Sequence, residues 1–167
     1  MKIYITGASG TGKSSVIRAL QARGIQAIDM DVGLCHWESR ANGEQAPWEP
    51  GRSEAWYREH GWMCDIPELK TLLSGSEDIV VAGLSSNQEE YLPFFDKVLV
   101  LHARPETLVA RLISRTDNDY GKHPLEQQRL LNWHKSFEEE MVGKGAIPLD
   151  AEQSVEAMTE EVLRHMK

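Results

Sequence analysis

The chain has 167 residues, 41% of them hydrophobic and 26% charged, which suits one globular domain and is too apolar for a disordered chain. Its 18 Lys and Arg against 26 Asp and Glu give a formal net charge of −8. That balance argues against a nucleic-acid polymer or an anionic membrane as partner, because both call for a broad positive surface. Two cysteines are too few for a disulfide scaffold, and no apolar run reaches the roughly 18 residues of a membrane span.

Ile3-Tyr4-Ile5 predicts a first strand with no leader expected before it, so Cys35 and Cys64 are expected as reduced thiols and the location as cytoplasmic. A helix is predicted from about Gly12 to Ala22, with Val16, Ile17 and Leu20 on one face. Gly24 breaks it, and Ile25–Ile28 reads as a second strand ending in Asp29-Met30-Asp31. Residues 32–76 form a long insertion that holds four of the five Trp. Ile79–Ala82 is an unbroken apolar run, as in a strand buried on both faces. Val98–Leu101 is a fourth strand, and Pro105 opens a helix carrying Leu108, Val109, Leu112 and Ile113.

Residues 115–123 are polar and turn-rich, the composition of a functional loop. Pro124 opens a helix with Leu130, Trp133, Phe137 and Met141 in one stripe, closed by Gly143 and Gly145. Ala146–Leu149 is a fifth strand, and Asp150-x-x-Gln153 is expected to cap a last helix whose face is Val155, Met158, Val162 and Met166. Alternating strands and helices predict an α/β fold with a parallel sheet covered on both faces.

Gly7-Ala8-Ser9-Gly10-Thr11-Gly12-Lys13-Ser14 matches G-x-x-x-x-G-K-[ST] without a mismatch, between a strand and an amphipathic helix as the motif demands. Glycines let backbone N–H groups turn inward around phosphates. Lys13 places a cation on the β- and γ-phosphates, Ser14 offers a hydroxyl to Mg²⁺, and the helix start faces the anion. The dinucleotide pattern G-x-G-x-x-G fails at Ser15, and no Asn-Lys-x-Asp occurs to select guanine. Motor-type ATPases end the third strand in an acid, whereas here Val80-Val81 runs into Ala82-Gly83 and the acids end strand two as Asp29-x-Asp31.

On these residues, with Arg111 and Arg115 four apart after strand four and Pro148-Leu149-Asp150-Ala151 around strand five, the whole chain resembles the small P-loop kinases: shikimate, gluconate and nucleoside-monophosphate kinases. The Arg115-to-Lys122 run is also similar to a loosely described group of kinase-like ATP-binding proteins of unknown substrate. The resemblance implies a three-layer fold with a five-stranded parallel sheet of order 2-3-1-4-5. It divides one domain into a core (1–31 and 77–167), an acceptor-binding insertion (32–76) and a mobile lid (115–123).

The resemblance also implies ATP and Mg²⁺ as cofactors and transfer of the γ-phosphate to a small-molecule hydroxyl or phosphate, whether nucleotide, nucleoside or other metabolite. The other function class that fits is an ATP-binding switch with little transfer activity. Nucleotide contacts fall on Gly7, Gly10, Thr11, Gly12, Lys13, Ser14 and Ser15, and the metal on Ser14 and Asp29. Asp31 takes the acceptor hydroxyl, Arg111 and Arg115 close over the phosphates, and Lys122 could add a third cation. Arg111 and Pro148 match the residues that sandwich adenine, although Pro148 reads equally as a strand-end residue.

For the acceptor, Glu54-Ala55-Trp56-Tyr57-Arg58 resembles a carboxylate-binding segment of shikimate kinases and makes Arg58 the anion candidate. Gly83-Leu84-Ser85 departs from the glycine triplet of those enzymes, so the resemblance does not extend to a shikimate substrate. Gly83, Asn87 and Gln88 complete the acceptor contacts, the last two at base-reading positions that would also suit a helix start. Trp37, Trp48, Trp56 and Trp62 serve either an aromatic pocket or local packing. Cys35-His36 and His60-x-x-x-Cys64 make only a thin zinc pattern without C-x-x-C.

Overall fold

A computed structural model describes residues 1–167. In chain order the elements are β1 (Lys2–Thr6), α1 (Lys13–Ala22), β2 (Ala27–Asp29), β3 (Cys35–Ser39), α2 (Glu54–Glu59), β4 (His60–Cys64), α3 (Ile66–Ser74), β5 (Ile79–Ala82), β6 (Lys97–His102), α4 (Pro105–Ser114), α5 (Pro124–Gly143), β7 (Ile147–Asp150) and α6 (Val155–His165), with 3-10 turns at Gln88–Glu90 and Leu92–Phe94. No helix is long and apolar enough to cross a membrane.

Five strands form one parallel sheet in the order β2-β5-β1-β6-β7. Numbered among themselves, they run 2-3-1-4-5, as expected. Side chains alternate across it as a pleated strand requires. Ile3, Ile5, Val80, Ala82, Leu99 and Leu101 pack with Val16, Ile17 and Leu20 of α1 and Met158 and Val162 of α6. Tyr4, Ile79 and Val81 point the other way, against Leu69 and Leu73 of α3 and against Tyr91 and Phe95. Val100 meets Met141 and Ala146 on that second face. A sheet buried on both sides explains why its strands read as apolar runs rather than as alternating ones.

The register places Asp29, Ala82 and Ile5 side by side at the carboxyl ends of β2, β5 and β1. The strand order reverses at β1, so the loop after it opens into the crevice where open α/β sheets bind ligands. The insertion is structured: β3 and β4 make an antiparallel hairpin with Trp37 opposite Trp62 and Cys35 opposite Cys64. Ser53 caps α2 by accepting from the Trp56 amide at 3.2 Å.

Two boundaries differ from expectation. Strand two starts at Ala27 because the Gly24 and Ile25 amides close α1, donating to Gln21 and Leu20. The cap of α6 is Ser154, which accepts from Ala157, rather than Asp150. Asp150 belongs to β7 and instead turns the chain by accepting from the Glu152 amide.

Candidate active site

The loop from Gly7 to Ser14 owes its shape to glycine. At Gly7 (φ +147°) a Cβ would lie 2.7 Å from the Leu101 carbonyl oxygen, and at Gly10 (φ +91°) 3.0 Å from that of Leu108. No other residue lets the loop lie this close to β6 and α4. Thr11 fixes the turn by donating its hydroxyl to the Ala8 carbonyl at 2.8 Å. Gly12 precedes α1 and has no side chain to cap it, so the first amides of the helix stay available to an anion. Ser14 stands in that first turn, and the Ser15 hydroxyl is taken by Arg18 at 3.3 Å.

Lys13 is buried and curls back over the loop, donating to Gly7 O at 2.6 Å and Ala8 O at 3.1 Å. Burial pulls its ammonium below the usual lysine range, while Asp31 and Asp29 pull it back up and Arg115 pushes it down. Four of the expected residues therefore sit within one another's electrostatic field. Asp31 is open to the cleft at its tip, yet displaced water raises its carboxyl above the ordinary value. Lys13 and a hydrogen bond from Trp62 Nε1 to Asp31 Oδ1 at 3.0 Å oppose that rise. Asp29 Oδ1 accepts from the Asp31 amide at 3.1 Å, which holds the two carboxylates in one turn.

The donors around Lys13 fit a hard cation: the Ser14 hydroxyl and the Asp29 carboxylate are oxygen ligands, as Mg²⁺ prefers, with phosphates supplying the rest. No group of three or more His, Cys, Asp or Glu side chains is placed to hold a metal ion. The four zinc candidates do not converge. His36 pairs with Glu38 at 2.9 Å, and His60 stacks on Trp56 with centroids 4.3 Å apart. Cys35 and Cys64 are free, buried thiols that face each other across the hairpin, and their mutual influence drives Cys35 up and Cys64 down.

Beyond Lys13 and Asp31 lies a cavity of about 490 Å³. Trp37 and Trp62 of the hairpin line it, with Trp48 and Tyr57 beyond them. Tyr120 of the 115–123 loop and Trp133 and Phe137 of α5 complete the aromatic lining. Trp56 does not line it but packs behind Trp37 at 5.1 Å.

Several expected acceptor residues are placed elsewhere. Arg58 is exposed and outside the cavity, because the short α2 turns Tyr57 inward and its neighbour outward. The arginines that line the cavity are Arg40, held to Ser86 Oγ at 3.3 Å, and Arg129, paired with Glu54 at 2.6 Å and lying over the Tyr57 ring. Arg129 is legible in the sequence, since it falls four residues before Trp133 and eight before Phe137 on one helix face. Asn87 is not free to read a ligand: it bonds both the amide and the carbonyl of Cys64 at 3.0 Å. Gly83 is also outside the cavity, and its carbonyl accepts the Tyr4 hydroxyl at 2.9 Å. Gln88 does line it.

Arg111 and Arg115 do not share a helix face, because α4 stops at Ser114 and Arg115 is already extended (φ −69°, ψ 150°). Arg111 turns to the outer side of the phosphate loop, donating to Gly10 O at 3.3 Å and Ala151 O at 2.8 Å. Pro148 is exposed within β7, short of the Ala151 carbonyl that Arg111 reaches. Arg115 turns inward and holds the loop's own Asn118 and Tyr120 carbonyls. Lys122 is taken by Asp119 at 2.8 Å.

The sequence model of one protein family, described as an AAA domain, matches residues 3–141. No curated protein matches the chain. Among solved structures it is similar to shikimate kinase from Acinetobacter baumannii in complex with shikimate (TM-score 0.62, 18% identity, 98% of this chain and 90% of that one). It is similar to a gluconokinase from Sinorhizobium meliloti 1021 (TM-score 0.55, 22% identity, 99% and 90%). Deoxyadenosine kinase from M. mycoides is a third likeness (TM-score 0.57, 17% identity, 99% and 98%). At these identities the likeness is one of fold, and the fold is that of the small P-loop kinases.

Proposed function

This chain belongs to the AAA domain family, and from that membership and the geometry of the cleft we propose that it transfers the γ-phosphate of ATP to a hydroxyl or phosphate group of a small molecule. The observation that carries the reading is the opening of one cavity onto both Lys13 of the phosphate loop and Asp31. A cation for the triphosphate and a carboxylate for the acceptor share that space. The absence of an acid after β5 separates the chain from motor-type ATPases, in which an acid there supports hydrolysis.

In this reading the phosphate loop and the start of α1 hold the triphosphate, and Lys13 moves from its own loop carbonyls to the phosphate oxygens. Ser14 and Asp29 would hold Mg²⁺, which neutralises charge on the β- and γ-phosphates. For a hydroxyl acceptor, oxygen attacks the γ-phosphorus as the bond to the β–γ bridging oxygen breaks and ADP leaves with that electron pair. The hydroxyl proton passes to Asp31, whose raised carboxyl makes it a better base than an ordinary aspartate, and general-base help of this kind contributes about 10²–10⁴-fold. Arg115 supplies charge where it builds during transfer, and the 115–123 loop excludes water that would otherwise act as acceptor.

Supporting the reading, shikimate, gluconate and deoxyadenosine kinases of this fold all name small hydroxyl compounds as their substrates. The test is a panel of hydroxyl metabolites assayed for ADP release, with Asp31→Asn as control. A kinase releases ADP only with its acceptor present. Nucleotide binding with no acceptor-dependent release, across the panel, would instead make the chain a nucleotide-dependent switch.

A further inference from the structure

The aromatic residues at the acceptor end form a connected wall. Trp62 donates to Asp31, lies 5.6 Å from Trp37 between ring centroids, and Trp37 lies 5.6 Å from Tyr57. The Trp48 indole donates to the Tyr57 hydroxyl at 3.0 Å and its ring stands 5.9 Å from Tyr120. Trp133 and Phe137, 5.4 Å apart, line the same cavity from α5. The cavity's polar lining, with Ser85, Ser86, His60 and Asn118, can serve the hydroxyls of any guest, whereas the wall itself is built of indole and phenol rings. Its complement is a flat ring or a cation. Arg40 and Arg129 line the cavity as well, and their charge opposes a cationic guest.

A second observation points to a flat ring with polar edges. Gln88 is 8% exposed and lines the cavity, yet its amide is poorly used. Its oxygen has only a 3.4 Å contact from the Thr6 hydroxyl and its nitrogen only a 3.8 Å contact to the Met141 sulfur. A buried primary amide can donate twice and accept twice, and leaving that capacity unmet is costly. A heteroaromatic edge that both donates and accepts would meet it.

We infer that the acceptor is a nucleoside-like compound, a heteroaromatic ring carrying a sugar hydroxyl, with the ring against the tryptophan wall, its polar edge on Gln88 and the hydroxyl toward Asp31. This rests on the phosphotransfer reading for the role of Asp31, but ring binding is measurable without transfer. Trp37, Trp48, Trp62 and Trp133 line the cavity, so a stacked ring quenches intrinsic fluorescence directly.

The experiment titrates wild-type protein, with a nonhydrolysable ATP analogue present, against adenosine, guanosine, cytidine and thymidine, with shikimate and gluconate as aliphatic counterparts. Saturable quenching by at least one nucleoside and by neither aliphatic acid is the expected result. Gln88→Leu should then weaken the bound nucleoside about tenfold, the worth of one good hydrogen bond at a buried edge. Binding of an aliphatic acid in preference to the nucleosides, or binding of no compound, overturns the inference. An unchanged affinity in folded Gln88→Leu also overturns it. In a parallel assay with ATP in place of the analogue, nucleoside binding without ADP release would keep the ring site and refute transfer, whereas ADP release with gluconate alone would keep transfer and overturn this inference.

Discussion

Glu126 Oε2 accepts the backbone amide of Gly121 at 2.7 Å, and the other oxygen of the same carboxylate accepts the amide of Gly51 at 2.9 Å. Glu126 is fully buried in the first turn of α5, where no cation pairs with it, and the Tyr57 hydroxyl adds a longer contact at 3.4 Å. One carboxylate thus ties the 115–123 loop to the 32–76 insertion. This contact and the Arg115 bonds to Asn118 and Tyr120 hold the loop, which the sequence offers as a mobile lid.

Glu126→Gln keeps the shape but places an amide NH₂ against one of the two backbone donors. The lost hydrogen bond at a buried site should cost about 1–3 kcal/mol. For a chain of this length each kcal/mol lowers Tm by roughly 2–4 °C. Thermal melts should fall accordingly, and hydrogen exchange should rise at Gly51 or Gly121, whichever amide then faces the NH₂ group. An unchanged melt with unchanged exchange at both glycines would mean that the carboxylate joins nothing.

Arg115 bonds carbonyls of its own loop, and a triphosphate is the stronger partner for its guanidinium. Residues 111–123 should therefore gain exchange protection when a nonhydrolysable ATP analogue and acceptor bind. Arg115→Ala should reduce turnover by more than it reduces nucleotide affinity, since the charge it meets is largest in transfer. Equal protection in both states would make the segment a fixed loop.

The Asp31 carboxyl is raised by burial and held back by Lys13 and the Trp62 indole. Transfer to a hydroxyl needs the ionised form, so turnover should climb with pH along an acid limb above the usual carboxylate range. Trp62→Phe removes a partner that lowers the value, so the limb should move to higher pH. Stability runs the opposite way: a carboxyl raised on folding contributes at low pH and loses that contribution as pH rises through its folded value. Asp31→Asn should therefore melt no lower than the wild type at neutral pH. An acid limb unmoved by Trp62→Phe would show that Asp31 does not set it.

Lys13 is the side-chain cation of the phosphate loop, and its ammonium donates to the loop's own Gly7 and Ala8 carbonyls. Lys13→Ala should weaken ATP binding by at least about tenfold by calorimetry, the effect of losing one charge-assisted contact. The fold should survive, because Gly7, Gly10 and Thr11 shape the loop independently. Unchanged ATP affinity would remove the nucleotide site.

The five core strands were legible because a sheet buried on both faces writes itself as apolar runs, and the loop from Gly7 to Ser14 because its glycines and lysine are adjacent in sequence. Asp31 and Gln88, expected from their places after β2 and β5, both line the cavity. The rest of the acceptor end was not legible: residues 32–64 bring Arg40, Trp37 and Trp62 together through a hairpin register that no local pattern announces. Arg58 illustrates the failure. It stands next to the buried Tyr57, and a six-residue helix settles which of the two faces inward. Asn87 looked like a base reader and is a tether, since a side-chain amide can meet a neighbouring strand as well as a ligand.

The most direct test of phosphotransfer follows the phosphoryl group itself. The protein is incubated with Mg²⁺, ATP labelled isotopically in its γ-phosphate, and candidate acceptors, and products are resolved by mass spectrometry. The account predicts that an acceptor gains one labelled phosphoryl group as ADP appears in equal amount, and that Asp31→Asn slows this gain by about 100-fold or more while still binding ATP. Label found only in inorganic phosphate, at the same rate with and without every acceptor, would contradict it.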